Sequence, residues 1–189
     1  MHSGREKAEG RDAELNQRRH TLELSVAIIT KDEAANIGDC LRSLQWATEM
    51  IVVDSHSADD TVAIAQDLGA RVFDEDWKGY ARQKNSAVAK ALCPWILSVD
   101  ADERVTASLR AEIEEIIRDP AALNGYQIPR KNFFCGRWIR YGGWSPDYTL
   151  RLFRKGRGNF EERAVHERLT VEGPVGRLAS PLLHYTYDT

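Results

Sequence analysis

The chain has 189 residues, 42% of them apolar, with 26 Lys and Arg against 29 Asp and Glu, enough for one well-cored domain with an elaboration. No apolar run approaches the ~20 residues of a membrane-crossing helix, and Cys40, Cys93 and Cys135, odd in number and without metal-binding spacing, favour a reducing compartment. The formal net charge of −3 is unevenly spread: from Gly125 onward eleven Lys or Arg face six Asp or Glu, leaving an acidic front half and pointing to anionic ligands at the junction.

Residues 1–21 are highly charged, lack the apolar core of a signal peptide and read as a disordered leader or expression remnant. Leu24 to Ile29 is a first buried strand, and Ile37, Leu41 and Leu44 mark the apolar face of the helix that follows. The loop between them, Thr30 to Asn36, holds no glycine, which argues against a nicotinamide dehydrogenase, whose dinucleotide fingerprint would fall there. Met50 to Val53 is a second strand ending in Asp54. Ser57 and Asp60 form a capping box for a helix lined by Thr61, Ile64, Ala65 and Leu68 and stopped by Gly69. Asp54 at a strand's carboxyl end can accept hydrogen bonds from a ribose or a base edge, or serve as a turn residue beside Ser55 and Ser57. Arg71 to Phe73 is a third strand, and a helix runs from about Tyr80 to Leu92 before Pro94. Its Arg82, Lys84 and Asn85 are donors for a diphosphate, or solvated helix charges.

The fourth strand, Ile96 to Val99, runs into Asp100-Ala101-Asp102-Glu103. Ligands of parallel sheets gather beyond the carboxyl ends of the strands. If the backbone stays extended, both aspartates face one side, the small Ala101 lets a ligand approach, and the hard oxygens suit Mg²⁺ or Mn²⁺. Alternatively these acids only favour the positive end of the next helix, which Thr106 caps and Leu109, Ile113, Ile116 and Ile117 line. Strand and helix thus alternate four times, the pattern of an α/β protein with a mostly parallel sheet flanked by helices. Beyond Pro120, short apolar pieces at Gly125–Ile128, Thr149–Phe153 and Arg168–Val171 predict an antiparallel addition. Tyr141 to Asp147 reads as a loop whose aromatics stack on a sugar face or pack. A carboxylate within Asn159 to Glu167 can take a proton from a hydroxyl, and His184 is a candidate third metal ligand.

Together these pieces resemble the family 2 glycosyltransferases of GT-A fold, most closely the branch of lipopolysaccharide core β-1,4-glucosyltransferases. The resemblance rests on Thr30-Lys31-Asp32-Glu33 with Asn36, Asp54, Gly79 to Asn85, Trp95 to Arg104, Leu150 to Arg154, Val165-His166-Glu167 and His184-Tyr185, and runs from about Leu22 to Tyr187. It implies inverting, metal-dependent transfer from a nucleotide-diphosphate sugar, UDP-glucose by analogy, to a saccharide of the lipopolysaccharide core or another cell-envelope glycan. It places Thr30, Lys31, Glu33, Asp54, Lys84, Asp100 and Ala101 around the donor. Asp102, Asp100 and His184 would hold Mg²⁺ or Mn²⁺. Glu167 would be the catalytic base, with His166 where the family has the first of two acids and Asp147 as the fallback. The implied domain spans 22–189, nucleotide-binding over 22–104 and acceptor-binding and catalytic over 105–189; members of the family often continue past the point of Thr189, which implies a truncated core.

The basic residues Arg130, Lys131, Arg137, Arg140, Arg151 and Arg154 suggest an anionic, lipid-linked acceptor and peripheral contact with the cytoplasmic face of the inner membrane. No nucleic-acid partner is expected. Two other readings remain. A nucleotidyltransferase of related fold would use similar acids but usually carries a glycine-rich basic loop where Thr30 to Asn36 stands. A receiver-like signalling module would use Asp32, Glu33 and Asp54, although Asp54 follows the second strand rather than the third.

Overall fold

Strand β1 (Leu24–Thr30) is a run of β-branched and small apolar residues with buried neighbours on both faces, the requirement for a central parallel strand. The computed structural model describes residues 22–134, 137–138, 147–162 and 167–185. β1 is flanked by β2 (Glu49–Asp54) and, on its other edge, by β4 (Trp95–Ser98), with β3 (Arg71–Asp74) beyond β2, all parallel. In register, Thr30 lies beside Asp54 and Asp54 beside Asp74, so three strands end at one level and their loops share one rim.

Helices α1 (Ala34–Arg42) and α2 (Thr61–Asp67) follow β1 and β2, α3 (Tyr80–Lys90) follows β3, and α4 (Ala107–Arg118) follows a short strand β5 (Glu103–Val105). The two-residue period of the strands sorts the core. Val26, Ile28, Met50 and Val52 pack with Ile37 and Leu41 of α1 and with Leu109 and Ile113 of α4. Ala27, Ile51 and Val53 pack on the other face with Ala81 and Ala87 of α3.

The antiparallel addition comprises β6 (Gly125–Phe134), β7 (Arg137–Trp138), β8 (Asp147–Arg154), β9 (Gly158–Glu161), β10 (Arg168–Val171), β11 (Val175–Arg177) and β12 (Leu182–Tyr185). The described residues give one sheet in the order β3-β2-β1-β4-β8-β6-β12-β5, with β7 and β11 on β6, and a separate β9–β10 ribbon. β8 runs antiparallel to β4, placing Leu152 beside Leu97. β12 sits between β6 and β5, which sets His184 opposite both Asn132 and Glu103. Thus the α/β half and the addition share one sheet.

Thr106 caps α4 as expected, accepting from Leu109 N at 3.1 Å, and Gly69 ends the second helix at a φ of 81°. The capping box does not form. Asp60 stands at the start of α2 without a side-chain cap bond, because the Ser57 hydroxyl donates instead to Asp54 Oδ1 at 2.5 Å. Nor does the backbone stay extended through Asp100 and Asp102. Glu103 N donates back to Asp100 O at 3.0 Å, turning the chain as soon as β4 ends. The expected leader (1–21) lies outside the described residues, as do Cys135, Arg140, residues 141–146 of the aromatic loop, and His166.

Candidate active site

A row of alternating charges begins at the rim and runs into the interior. Lys84, on the second turn of α3, places Nζ 2.6 Å from Glu167 Oε1 and 2.9 Å from Asp100 Oδ1. Arg151 of β8 places one guanidinium nitrogen 2.5 Å from Asp100 Oδ2 and 2.6 Å from Glu103 Oε1. Arg130 of β6 lies 3.7 Å from Glu103 and holds Asp147 Oδ2 through Nε and Nη2 at 2.9 and 2.6 Å. The row reads Glu167, Lys84, Asp100, Arg151, Glu103, Arg130, Asp147. Four acids and three bases leave it one negative charge.

Burial makes this arrangement consequential. Glu103 is wholly buried, and Arg151 and Lys84 are 3% and 6% exposed, so each charge depends on its partners. Burial by itself would raise the Asp100 carboxyl; Arg151 and Lys84 override it and hold the group far below the usual carboxylate range. Glu103 goes the other way: burial raises it, Arg151 opposes and Asp100 adds to the rise. For Glu167, burial raises and Lys84 lowers, with a net downward shift. Glu167, Lys84 and Asp100, all selected from sequence, therefore meet at one place.

His184 and Asp102 form a second unit beside the first. His184 Nε2 lies 3.1 Å from Asp102 Oδ2, and its Nδ1 lies 2.8 Å from Asn132 Oδ1. Burial lowers the imidazole pKa, but the bond to Asp102 outweighs it and the net shift is upward. Tyr185 N donates to Asp102 O at 3.0 Å, tying β12 to the turn that carries Asp102. Asp100 does not join this pair, since Lys84 and Arg151 take both its oxygens. Among the described residues no three His, Cys, Asp or Glu side chains cluster as a metal cage. The donor set still fits a divalent ion bound together with a substrate. Adjacent ligands of an octahedral ion bound at about 2.1 Å are about 3 Å apart, close to the separation already present, and Mg²⁺ characteristically combines one or two carboxylates with phosphate oxygens. The carboxylate oxygen of Asp102 likewise suits Mn²⁺.

The strand-one and strand-two loops are stitched to each other. Lys31 Nζ donates to the carbonyls of Ser55 and His56 at 3.0 Å each. Asp32, left-handed at a φ of 53°, accepts from Ala58 N at 2.7 Å. The Asp54 carboxylate is buried and occupied by Ser57, so the turn reading of this residue describes its geometry and it does not face outward. Thr30 Oγ1 is buried without a hydrogen-bond partner among the described residues. Glu33 accepts from Asn36 Nδ2 at 3.0 Å, and its pKa is raised, chiefly by burial. The Ala101 methyl is buried in the core, and its carbonyl accepts from Arg104. A polar cavity of about 430 Å³, lined by Asn36, Asp39, Arg104 and Tyr185, lies next to this rim. A larger one of about 560 Å³ sits by the carboxyl end of α3, near Leu92 and Cys93, away from the carboxylates.

The basic back half is less available than its composition implies. Arg151 and Arg130 neutralise internal acids, and the Arg154 guanidinium lies over Trp95, 4.5 Å from its ring centroid. Lys131, over the Trp138 ring at 4.0 Å, and exposed Arg137 stay nearer the surface. Two participants escaped the sequence reading: Glu103 as Arg151's partner, and Asn132. Arg151 inside the apolar run Leu150 to Phe153 was the available signal, because a charge in a buried strand requires a counter-charge. Asn132 gave none.

Residues 25–171 match the family model described as Glycosyl transferase family 2. The chain is 35% identical over 176 residues to the lipopolysaccharide core biosynthesis glycosyltransferase LpsC of Rhizobium meliloti (strain 1021), covering 87% of this chain and 63% of that protein. It is 49% identical over 94 residues to an uncharacterized glycosyltransferase of Rickettsia felis, covering 49% of this chain and 33% of that one. The chain thus spans between one third and two thirds of these relatives. The crystal structure of S. aureus TarS 1-349 in complex with UDP-GlcNAc superposes with a TM-score of 0.66 at 16% identity, covering 88% of this chain and 59% of that one. That likeness shows the fold, which is the expected GT-A arrangement. Among the described residues no helix is long and apolar enough to cross a membrane.

Proposed function

Since the chain belongs to glycosyl transferase family 2, we propose that it moves a sugar from a nucleoside-diphosphate donor to a saccharide hydroxyl with inversion, UDP-glucose being the donor favoured by resemblance. The observation that carries this reading is the meeting of Glu167, Lys84 and Asp100 beside the Asp102–His184 pair, at the carboxyl ends of the parallel strands. Asp102 and His184 would hold Mg²⁺ or Mn²⁺, which when bound neutralises charge on the departing diphosphate. Lys84 would supply a second positive charge to the same oxygens. Glu167 would take the acceptor's proton as its oxygen attacks the anomeric carbon from the face opposite the leaving group. Thr30, Lys31 and Glu33 would line the nucleotide side, with Asp54 shaping that loop through Ser57.

Lys84 serves two acids, Asp100 and Glu167. As it turns toward a diphosphate, Glu167 would lose the cation that depresses its pKa and become the stronger base when the donor is in place. The likeness to LpsC supports an anionic, lipid-linked acceptor of the lipopolysaccharide core. Lys131 and Arg137 would be the basic groups to meet it, and peripheral contact with the cytoplasmic face of the inner membrane would follow from such an acceptor. In this reading residues 22–104 serve the donor and 105–189 the acceptor and chemistry. Family membership leaves the nucleotidyltransferase and receiver readings without a supporting observation.

The test is a calorimetric titration of UDP with and without Mn²⁺, on the native protein and on Asp102→Asn. Binding that requires Mn²⁺ and is lost in the variant is the expected result. Metal-independent binding, or equal binding in Asp102→Asn, would overturn the assignment of Asp102; no binding by folded native protein would overturn the donor class.

A further inference from the structure

We propose that Asn132 is a positioning residue that decides which nitrogen of His184 faces Asp102, and so whether the pair can take a metal ion. This rests on the metal reading above, and the experiment separates the two. A neutral imidazole carries one N–H and one lone pair, and only the lone-pair nitrogen can bind a metal. The group opposite the other nitrogen therefore selects the competent form. Asn132 Oδ1 stands 2.8 Å from His184 Nδ1 and accepts a proton held there. With Nδ1–H held there, Nε2 is the nitrogen that meets Asp102 Oδ2, 3.1 Å away, and once it gives up its own proton it would offer its lone pair to a metal ion on the Asp102 side.

The scaffold makes this contact rigid. Asn132 and His184 are direct neighbours in the parallel β6–β12 pair, and Asn132 is 2% exposed. β12 is fixed from its other edge by β5, and Tyr185 N is bonded to Asp102 O. Asn132 thus comes from a strand, and Asp102 from a turn hydrogen-bonded to β12. An amide also suits the position. Its oxygen accepts from the ring nitrogen without donating to it, which is the property the orientation requires.

The experiment measures Mn²⁺ affinity calorimetrically at saturating UDP for the native protein, Asn132→Leu, Asn132→Ser, Asn132→Asp, His184→Ala and the double variant Asn132→Leu/His184→Ala, each checked by thermal melting. Leu has no acceptor and Ser is too short to reach the ring. Both should weaken Mn²⁺ binding by about 10- to 100-fold, whereas Asp, which keeps an oxygen at the same reach, should stay within a few-fold of native. In the His184→Ala background, Asn132→Leu should have no further effect, because its role acts through the histidine. A merely structural role would weaken binding additively and would not be rescued by Asp. Native-like Mn²⁺ affinity in Asn132→Leu while His184→Ala loses it would overturn this inference and leave the metal reading standing. Absence of Mn²⁺ binding by the native protein would overturn both.

Discussion

Arg151→Met replaces a buried guanidinium by a side chain of similar length with no charge, and leaves Asp100 and Glu103 facing each other without the cation they share at 2.5 and 2.6 Å. Arg151 is 3% exposed and Glu103 is wholly buried, so water cannot take the cation's place. Removing one partner of such a group costs about 3–5 kcal/mol. At about 2–4 °C per kcal/mol for a domain of this size, the melting temperature should fall by about 6–20 °C. Among the described residues Arg151 Nε has no hydrogen-bond partner, which makes the native contact less than ideal and favours the lower half of that range. The pH dependence has a definite sign. Asp100 has a lowered pKa in the native protein, so its stabilisation is present above the unfolded value and is lost as pH falls. Glu103 has a raised pKa, so its contribution is largest at low pH and is lost as pH rises, more so without Arg151. Between pH 7 and about 4.5 the Glu103 effect makes the deficit of the variant shrink, and the Asp100 effect adds to this only below about pH 3.9. Adding Glu103→Gln should restore part of the loss, a coupling of about 0.5–3 kcal/mol. Denaturant and thermal unfolding of the two variants, repeated at both pH values, measure these quantities. A loss under 2 °C at pH 7, taken as about 1 kcal/mol or less, or a deficit that does not change with pH, would refute the view that Arg151 neutralises both acids.

Glu167→Gln should lower kcat by on the order of 10²-fold or more with little change in UDP affinity; single-turnover rates near native would remove Glu167 from the role of base. Lys84→Met removes the main influence that depresses the Glu167 pKa against burial, so the acidic limb of the kcat/KM profile, which reports the free protein, should move to higher pH. An unmoved limb in a variant that still turns over would separate Glu167 from that titration. Binding to vesicles containing anionic lipid should weaken between low and high salt if Lys131 and Arg137 meet a charged surface, and sedimentation giving equal binding at both would count against membrane contact.

Most of the α/β half was legible because its signals are local. Leu24 to Ile29 and Met50 to Val53 are apolar runs short enough to be strands and too continuous to be half-exposed, and they became β1 and β2. The helices announced themselves through apolar spacing and, for α4, through Thr106. What failed depended on competition for hydrogen bonds. Ser57 could cap a helix or bind Asp54, and the latter prevailed because Asp54, buried at the end of β2, needs donors. The two-residue spacing of Asp100 and Asp102 suggested a shared face, but a turn sealed by Glu103 N sends Asp100 to Lys84 and Arg151 and Asp102 to His184. The partnerships of Arg130 and Arg151 join positions far apart in the chain through β-strand pairing, which no local pattern reports.

Glu167 and Asp147 occupy the two ends of the charge row, and the difference between their cations argues for which of them would act as base. Arg130 holds Asp147 by two nitrogens on one oxygen and also approaches Glu103, a geometry that a planar fork gives up reluctantly. Glu167 is held by an ammonium on a flexible stem, and that ammonium also faces Asp100. A diphosphate arriving beside Asp102 and His184 would compete directly for Lys84 and has no comparable claim on Arg130. The acid whose counter-ion the donor can remove is the one whose basicity would rise with donor binding. That coupling would also discourage proton abstraction before the donor is seated.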